Sequence, residues 1–244
     1  VRFGRGVAFV FEESLAFVEK AWLLALLLSV PSFILGLSDL VTPGAAVQER
    51  LIAFQAASSA ANVLTIYWVI RFQALKHNLA EAIRINRASA KTFAPFALFM
   101  WLFGFSAGVL LMQGAQAVLA LALIPGLILL AALALWIVTA PSGATVIGPL
   151  RSARIMTPHL LWSGAFLLVI QAIIAIADHL LANAINALND AAGSMLPLMI
   201  ALMTIKNAVM GLAYNTAFGT AIFVIAHRAG MRVDSQPGLA AIFE

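Results

Sequence analysis

Lys206 and Asn207, in the stretch MTIKNAVM at 203–210, put an ammonium group and an amide inside a run of otherwise largely apolar residues. An ionisable side chain within a membrane span is a functional-site candidate by default, because burying its charge in hydrocarbon is costly. Catalysis, transport of a polar solute and an ion pair are the chemistries open to it. Two stripes of polar residues accompany it. Gln55, Ser59, Asn62 and Thr65 recur along one face of LIAFQAASSAANVLTIYWVI, and Asn207, Gly211, Asn215 and Gly219 follow at spacing four. Either stripe could line a polar pathway, but hydrogen bonding and close packing between helices is the favoured reading for both. Gly104 and Gly108 form a GxxxG that permits a close helix crossing without saying which helix is the partner.

Other candidate chemistry is thin. His77, His159, His179 and His227 are scattered, with no pair at the spacing of a metal site. Ser163 and Gly164 in WSGA faintly suggest an intramembrane serine nucleophile, a combination that recurs by chance. Asp178 and His179 are neighbours in sequence, yet consecutive helical residues point about 100° apart, so they form no dyad by themselves. There is no Walker loop and no dinucleotide fingerprint, and with no cysteine there is no thiolate nucleophile or cysteine-based metal site. The expectation is no catalytic residue, no metal and no cofactor. The remaining signal is cationic: Arg84, Arg87 and Lys91, with Arg71 and Lys76 nearby, and Arg151 with Arg154. Basic residues beside a bilayer attract anionic lipid headgroups at about 1 kcal/mol each. They are also what membrane orientation alone would put there, and that reading is favoured.

The elements that position these residues follow from composition. Of 244 residues, 63% are hydrophobic and 10% charged, against roughly 25% charged in soluble domains. The chain reads as an all-α polytopic membrane bundle forming a single membrane domain. Six apolar blocks, roughly 21–37, 51–70, 93–112, 118–140, 160–182 and 198–226, each reach the length of a span. The connections 38–50, 113–117 and 183–197 contain one basic residue, Arg50. The other side holds Arg2, Arg5, Lys20, Arg71, Lys76, Arg84, Arg87, Lys91, Arg151, Arg154, Arg228 and Arg232. The positive-inside rule then places both termini in the cytoplasm. These cations flank hydrophobic blocks and build no basic domain, so the net charge of +4 does not indicate nucleic acid. The N-terminal stretch lacks the pattern of a cleavable signal, so the first span is expected to serve as the insertion signal.

A charged, helix-compatible stretch precedes each odd-numbered span, suggesting three repeats of interfacial helix plus hairpin. In the first, Phe3, Val7, Val10, Phe11, Leu15 and Val18 share a face, opposite Arg5, Glu12 and Glu19. In the second, HNLAEAIRINRASAK, Arg84, Arg87 and Lys91 fall at spacings of three and four. In the third, GPLRSARIMTP, Pro149 suits a first helical turn and Pro158 acts as a breaker. The sixth block outruns a hydrocarbon core of about 30 Å. Measured back from His227, that thickness ends close to Lys206, and Asp178 reaches a similar depth from the opposite direction. Lys206 is therefore expected to pair with Asp178 or to snorkel to the outer headgroups.

The block IPGLILLAALALWIVTAP, 124–141, followed by GPLRSARIMTPHLLWSGAFLL, resembles the YciC-like family of uncharacterised bacterial inner-membrane proteins. More distantly it is similar to the membrane domain attached to some glycerophosphodiester phosphodiesterases. The matching positions are Pro125 and Gly126, then Arg151, Ser152 and Arg154, and the layout extends the likeness over roughly residues 10 to 228. A polar or acidic turn usual after the fourth span is replaced here by SGATVIG. The resemblance implies an inner-membrane helical bundle without a catalytic role. We expect a non-enzymatic protein that binds membrane lipids or joins a larger membrane complex, in an accessory or envelope-organising role. The alternative is a small transporter with a polar site between spans two and six, bordered by Asn62, Asn207 and Asn215.

Overall fold

The computed structural model describes residues 3–37, 45–84, 87–112, 116–142, 146–191 and 196–230, and every regular element among them is helical. Arg2, Arg232, the Arg50 side chain, the connections 38–44, 113–115 and 192–195, and 143–145 of the SGATVIG turn lie outside the described residues.

Helix α1 (Phe3–Lys20) meets α2 (Trp22–Leu37) at 94°, turning at the buried Ala21. Its packed face is Gly6, Phe9, Val10, Ser14 and Phe17, whereas Leu15 is exposed. Of the expected face, Val10 lies in the core, Phe3, Val7 and Phe11 pack against it, Val18 packs beside Phe17 and Phe72, and Leu15 alone turns outward. The helical periodicity of these apolar residues therefore marks the side that packs on the bundle. Helix α3 (Ala45–Ala74) ends in a turn at Lys76 and His77, and α4 (Leu79–Ala82) is one helical turn whose Asn78 cap accepts a hydrogen bond from the Glu81 amide. Helix α5 (Arg87–Met112) is the next element described. The second interfacial helix expected over 77–91 is therefore a single turn; Arg84 stands outside any helix, while Arg87 and Lys91 open α5.

Helices α6 (Gln116–Ala132) and α7 (Ala134–Ser142) form a pair bent by 53°. Helix α8 (Pro149–Met156) passes through a 3₁₀ turn, Thr157–His159, into α9 (Leu160–Ala191) as one helical run. Pro158 does not break it. Proline lacks the amide hydrogen an α-turn needs, and a tightened turn accommodates that loss without ending the helix. Helix α10 (Leu196–Arg228) completes the bundle.

Ala90–Ala107, Pro149–Ala191 and Pro197–Arg228 are long and apolar enough to cross a membrane, and each bent pair adds one more if counted as a single span. Helix α3, expected as the second span, does not meet that measure. Its Gln55, Ser58, Ser59, Asn62 and Thr65 lower its hydropathy, and it packs against α2, α5, α7 and α10 rather than outward. Trp22, Leu26, Leu102, Leu121, Leu161 and Leu180, by contrast, point out of the bundle.

The core is off-centre. Tyr67, Ile70, Phe96, Leu135, Phe166, Phe218 and Ile222 fill the end where α3, α7 and α10 finish and α9 begins. There the Arg228 guanidinium lies 4.0 Å from the centre of the Trp162 ring, and Phe3 of α1 meets Trp162 and Phe166 edge-on. Toward the other end burial thins until α9 beyond Ile174 has no fully buried residue. At 1.5 Å per residue α9 and α10 are each nearly 50 Å long, longer than the roughly 30 Å of hydrocarbon, and at this thin end α9 is the exposed arm of a hairpin with α10, which also packs on α2 and α3.

Candidate functional site

The hairpin of α9 and α10 holds Asp178, Lys206 and Asn207. Lys206 Nζ lies 2.7 Å from Asp178 Oδ1, joining α10 to α9. The lysine side chain is 10% exposed and the aspartate 42%, so water and salt screen the pair and its net worth is modest. His179 turns away from Asp178 and meets the Asn183 amide at 3.1 Å, as consecutive positions on a helix require. Gln171, Asp178, Asn207, Gly211 and Tyr214 line a cleft of about 310 Å³ between α9 and α10, bordered by the ion pair itself. Such a cleft can take up a small polar group. The cleft contains a carboxylate and amides but no activated nucleophile. Ser163 sits inside α9 with its hydroxyl buried and without a hydrogen-bond partner among the described residues.

The polar stripes do not converge on one pathway. Asn215 Nδ2 donates to Asn62 Oδ1 at 2.8 Å and to the Gly211 carbonyl at 2.7 Å, locking α10 to α3. Gln55 Nε2 donates to the Gly104 carbonyl at 3.3 Å and to Ser59 Oγ at 3.5 Å. Ser59 Oγ also lies 3.5 Å from where a β-carbon on Gly104 would be, so the helix crossing α5 at that glycine is α3 of the same chain. Asn207 faces α9 instead. A spacing of four drifts about 40° per step on a helix of 3.6 residues per turn, so Asn207 and Asn215 diverge by about 80°. At Gly219 an added β-carbon would come 3.1 Å from Val69 Cγ1, so α3 and α10 are in near-backbone contact there.

A heavily bonded polar group is Arg71, which the sequence marks only as a cation near Arg84, Arg87 and Lys91. Arg71 is 6% exposed. Its Nε donates to the Ala82 carbonyl (3.0 Å), NH2 to the Glu81 carbonyl (3.0 Å) and NH1 to the Pro141 carbonyl (2.8 Å). A planar fork of donors thus closes the C-terminal ends of α4 and α7, whose last carbonyls have no partner within their own helices. Thr92 Oγ1 donates to the neighbouring Ala140 carbonyl at 3.0 Å, and Thr139 Oγ1 accepts the Ile147 amide at 3.1 Å. Ser152 repairs the α6–α7 break: its hydroxyl donates to the Ala132 carbonyl (2.9 Å) and accepts the Trp136 amide (3.3 Å). Lys76 and His77 hold left-handed backbone (φ 55° and 63°) though neither is glycine, an arrangement costing about 1–2 kcal/mol per residue. His77 offsets it by stacking on Phe72 and by a 2.5 Å contact from Nε2 to Glu13 of α1. Gln73 Nε2 donates to Thr220 Oγ1 at 2.7 Å within the same buried region. These roles were not readable in advance, since each needs acceptors far away in sequence; only the helix-ending positions of Arg71 and Ser152 hinted at them.

No family model, curated protein or solved structure matches this chain.

Arg84, Arg87, Lys91, Arg151 and Arg154 are all exposed, and none makes a salt bridge among the described residues. The Arg71 contacts bring the ends of α3, α4 and α7 together, so these five cations cluster around the well-packed end of the bundle.

Proposed function

We propose that the chain is a non-enzymatic integral membrane protein that binds lipid or a membrane partner complex, in an accessory or envelope-organising role. The observation that carries this is the five exposed cations, without carboxylate partners among the described residues, at one end of a bundle whose sides expose large apolar residues. Unpaired cations beside an apolar exterior suit anionic headgroups. The better-connected polar groups, Arg71, Ser152, Asn62 and Asn215, serve the fold. We place the protein in a bacterial inner membrane with six spans, α2, α3, α5, α6 with α7, α9 and α10, and both termini cytoplasmic. On this reading α3 crosses the bilayer shielded by its neighbours, which relaxes the demand on its hydropathy. The resemblance to the YciC-like family belongs to the same proposal.

A second reading, a small transporter, draws on the cleft beside Asp178 and Asn207. It gains less support, because Asn62 and Asn215 satisfy each other away from that cleft.

Purification in mild detergent with mass spectrometry of retained lipids and proteins tests the proposal. Reproducible retention of either is expected. Lipid or peptide hydrolysis that disappears on Asp178→Asn or Asn207→Ala would overturn it. Topology is testable because the chain has no cysteine: single cysteines at Lys76 and Thr157 should label from the cytoplasmic side and one at Asp190 from the other.

A further inference from the structure

The run from α8 into α9 carries one exposed stripe, Arg151, Arg154, Leu161, Ala165 and Leu168, at successive spacings of three, seven, four and three. Its apolar part borders a groove of about 550 Å³ between α6 and α9, lined by Ile124, Ile128, Leu161, Gly164, Ala165 and Leu168. The groove is concave because its middle is small: a β-carbon on Gly164 would find nothing within 4 Å, while Leu161 stands 90% exposed at one margin. Leu161 to Leu168 spans about 10 Å of rise, most of one leaflet's share, about 15 Å, of the hydrocarbon thickness. Arg154 stands another 10 Å or so beyond Leu161 on the same face, at the level where a headgroup phosphate would lie above an acyl chain in the groove.

We infer that this groove with Arg151 and Arg154 is a binding site for one anionic glycerophospholipid, an acyl chain lying between α6 and α9 and the phosphate held by the two guanidinium groups. The inference rests on the lipid-binding reading and sharpens it to one site. Three observations converge. The groove is apolar and of chain-like length. The two arginines at its mouth make no salt bridge among the described residues, and an arginine fork suits phosphate. The site is also pre-organised: Ser152, on the opposite face of α8, bonds the Ala132 carbonyl and Trp136 amide, fixing the arginine-bearing turn to the helix pair that forms the groove's other wall. A second copy of this chain docked side by side would oppose these arginines to their own counterparts, which charge disfavours.

The test is native mass spectrometry of the full chain released from nanodiscs of equal phosphatidylglycerol and phosphatidylethanolamine. Wild type should retain one phosphatidylglycerol in preference. Arg151→Gln with Arg154→Gln should lower that occupancy roughly tenfold or more, at about 1 kcal/mol per cation. Gly164→Leu, which fills the groove without altering charge, should lower retention of both lipids, and Arg84→Gln with Arg87→Gln should lower phosphatidylglycerol retention severalfold less than the Arg151 and Arg154 pair does. Unaltered thermal unfolding of each variant shows that it has folded. Retention without headgroup preference, equal loss in the Arg84/Arg87 variant, or no effect of Gly164→Leu would overturn this site while leaving lipid binding in place. No lipid retained by wild type would overturn both.

Discussion

Replacing Arg71 by methionine removes the charge and all three donors while keeping most of the side-chain volume. Hydrogen bonds to charged groups contribute about 1.5–3 kcal/mol each, so three at the lower limit amount to roughly 4–5 kcal/mol. Part of that is recovered, because Glu81 is exposed and water can reach its carbonyl. The Ala82 and Pro141 bonds are buried and would leave acceptors without replacements. The net expectation is a loss of about 3–4 kcal/mol. Arg71→Lys separates charge from geometry: an ammonium on a flexible stem cannot reach three carbonyls spread over two helix ends, so it should lose about 2 kcal/mol despite keeping the charge. Reversible unfolding of the purified protein in mixed micelles of dodecyl maltoside and SDS, followed by far-ultraviolet circular dichroism, measures both. If Arg71→Met falls within about 1 kcal/mol of wild type, the guanidinium does not hold these helix ends. If Arg71→Lys equals wild type, the fork argument fails even though the charge argument survives.

A double-mutant cycle on Asp178→Asn and Lys206→Gln should give a coupling of about 0.5–1 kcal/mol that shrinks as salt is raised, given the exposure of the carboxylate; zero coupling at low salt would mean the contact is not populated. Ser152→Ala should lower stability by about 1–3 kcal/mol by orphaning the Trp136 amide and the Ala132 carbonyl, accompanied by a shift in tryptophan emission, and an unchanged unfolding midpoint would refute the bridging role. Gly219→Ala should cost about 1–3 kcal/mol through overpacking against Val69, whereas Gly164→Ala, whose β-carbon meets nothing, should cost none in the same unfolding assay.

Composition and patterning were enough to read an all-helical chain with several membrane-length segments, because backbone groups in hydrocarbon must be satisfied within their own helix and the required apolar length is local information. The Lys206–Asp178 encounter was legible for a related reason. Two consecutive helices joined by a short link run past each other at a fixed rise, so residue number converts to depth and opposite charges at equal depth come within reach.

Rotation and distant partners were not legible. Asn215 meets Asn62 while Asn207 faces elsewhere, because helical twist and the choice of neighbouring helix, not spacing alone, decide which stripe residues share an interface. Arg71 looked like any other cytoplasmic cation, yet its acceptors lie on α4 and at the end of α7, brought to it only when α3, α5 and α7 assemble. The sequence determined that these side chains sit at helix ends, where unpaired carbonyls and charges accumulate. Only the tertiary structure decided which cations close those ends and which remain exposed, because that outcome depends on carbonyls supplied from elsewhere in the chain.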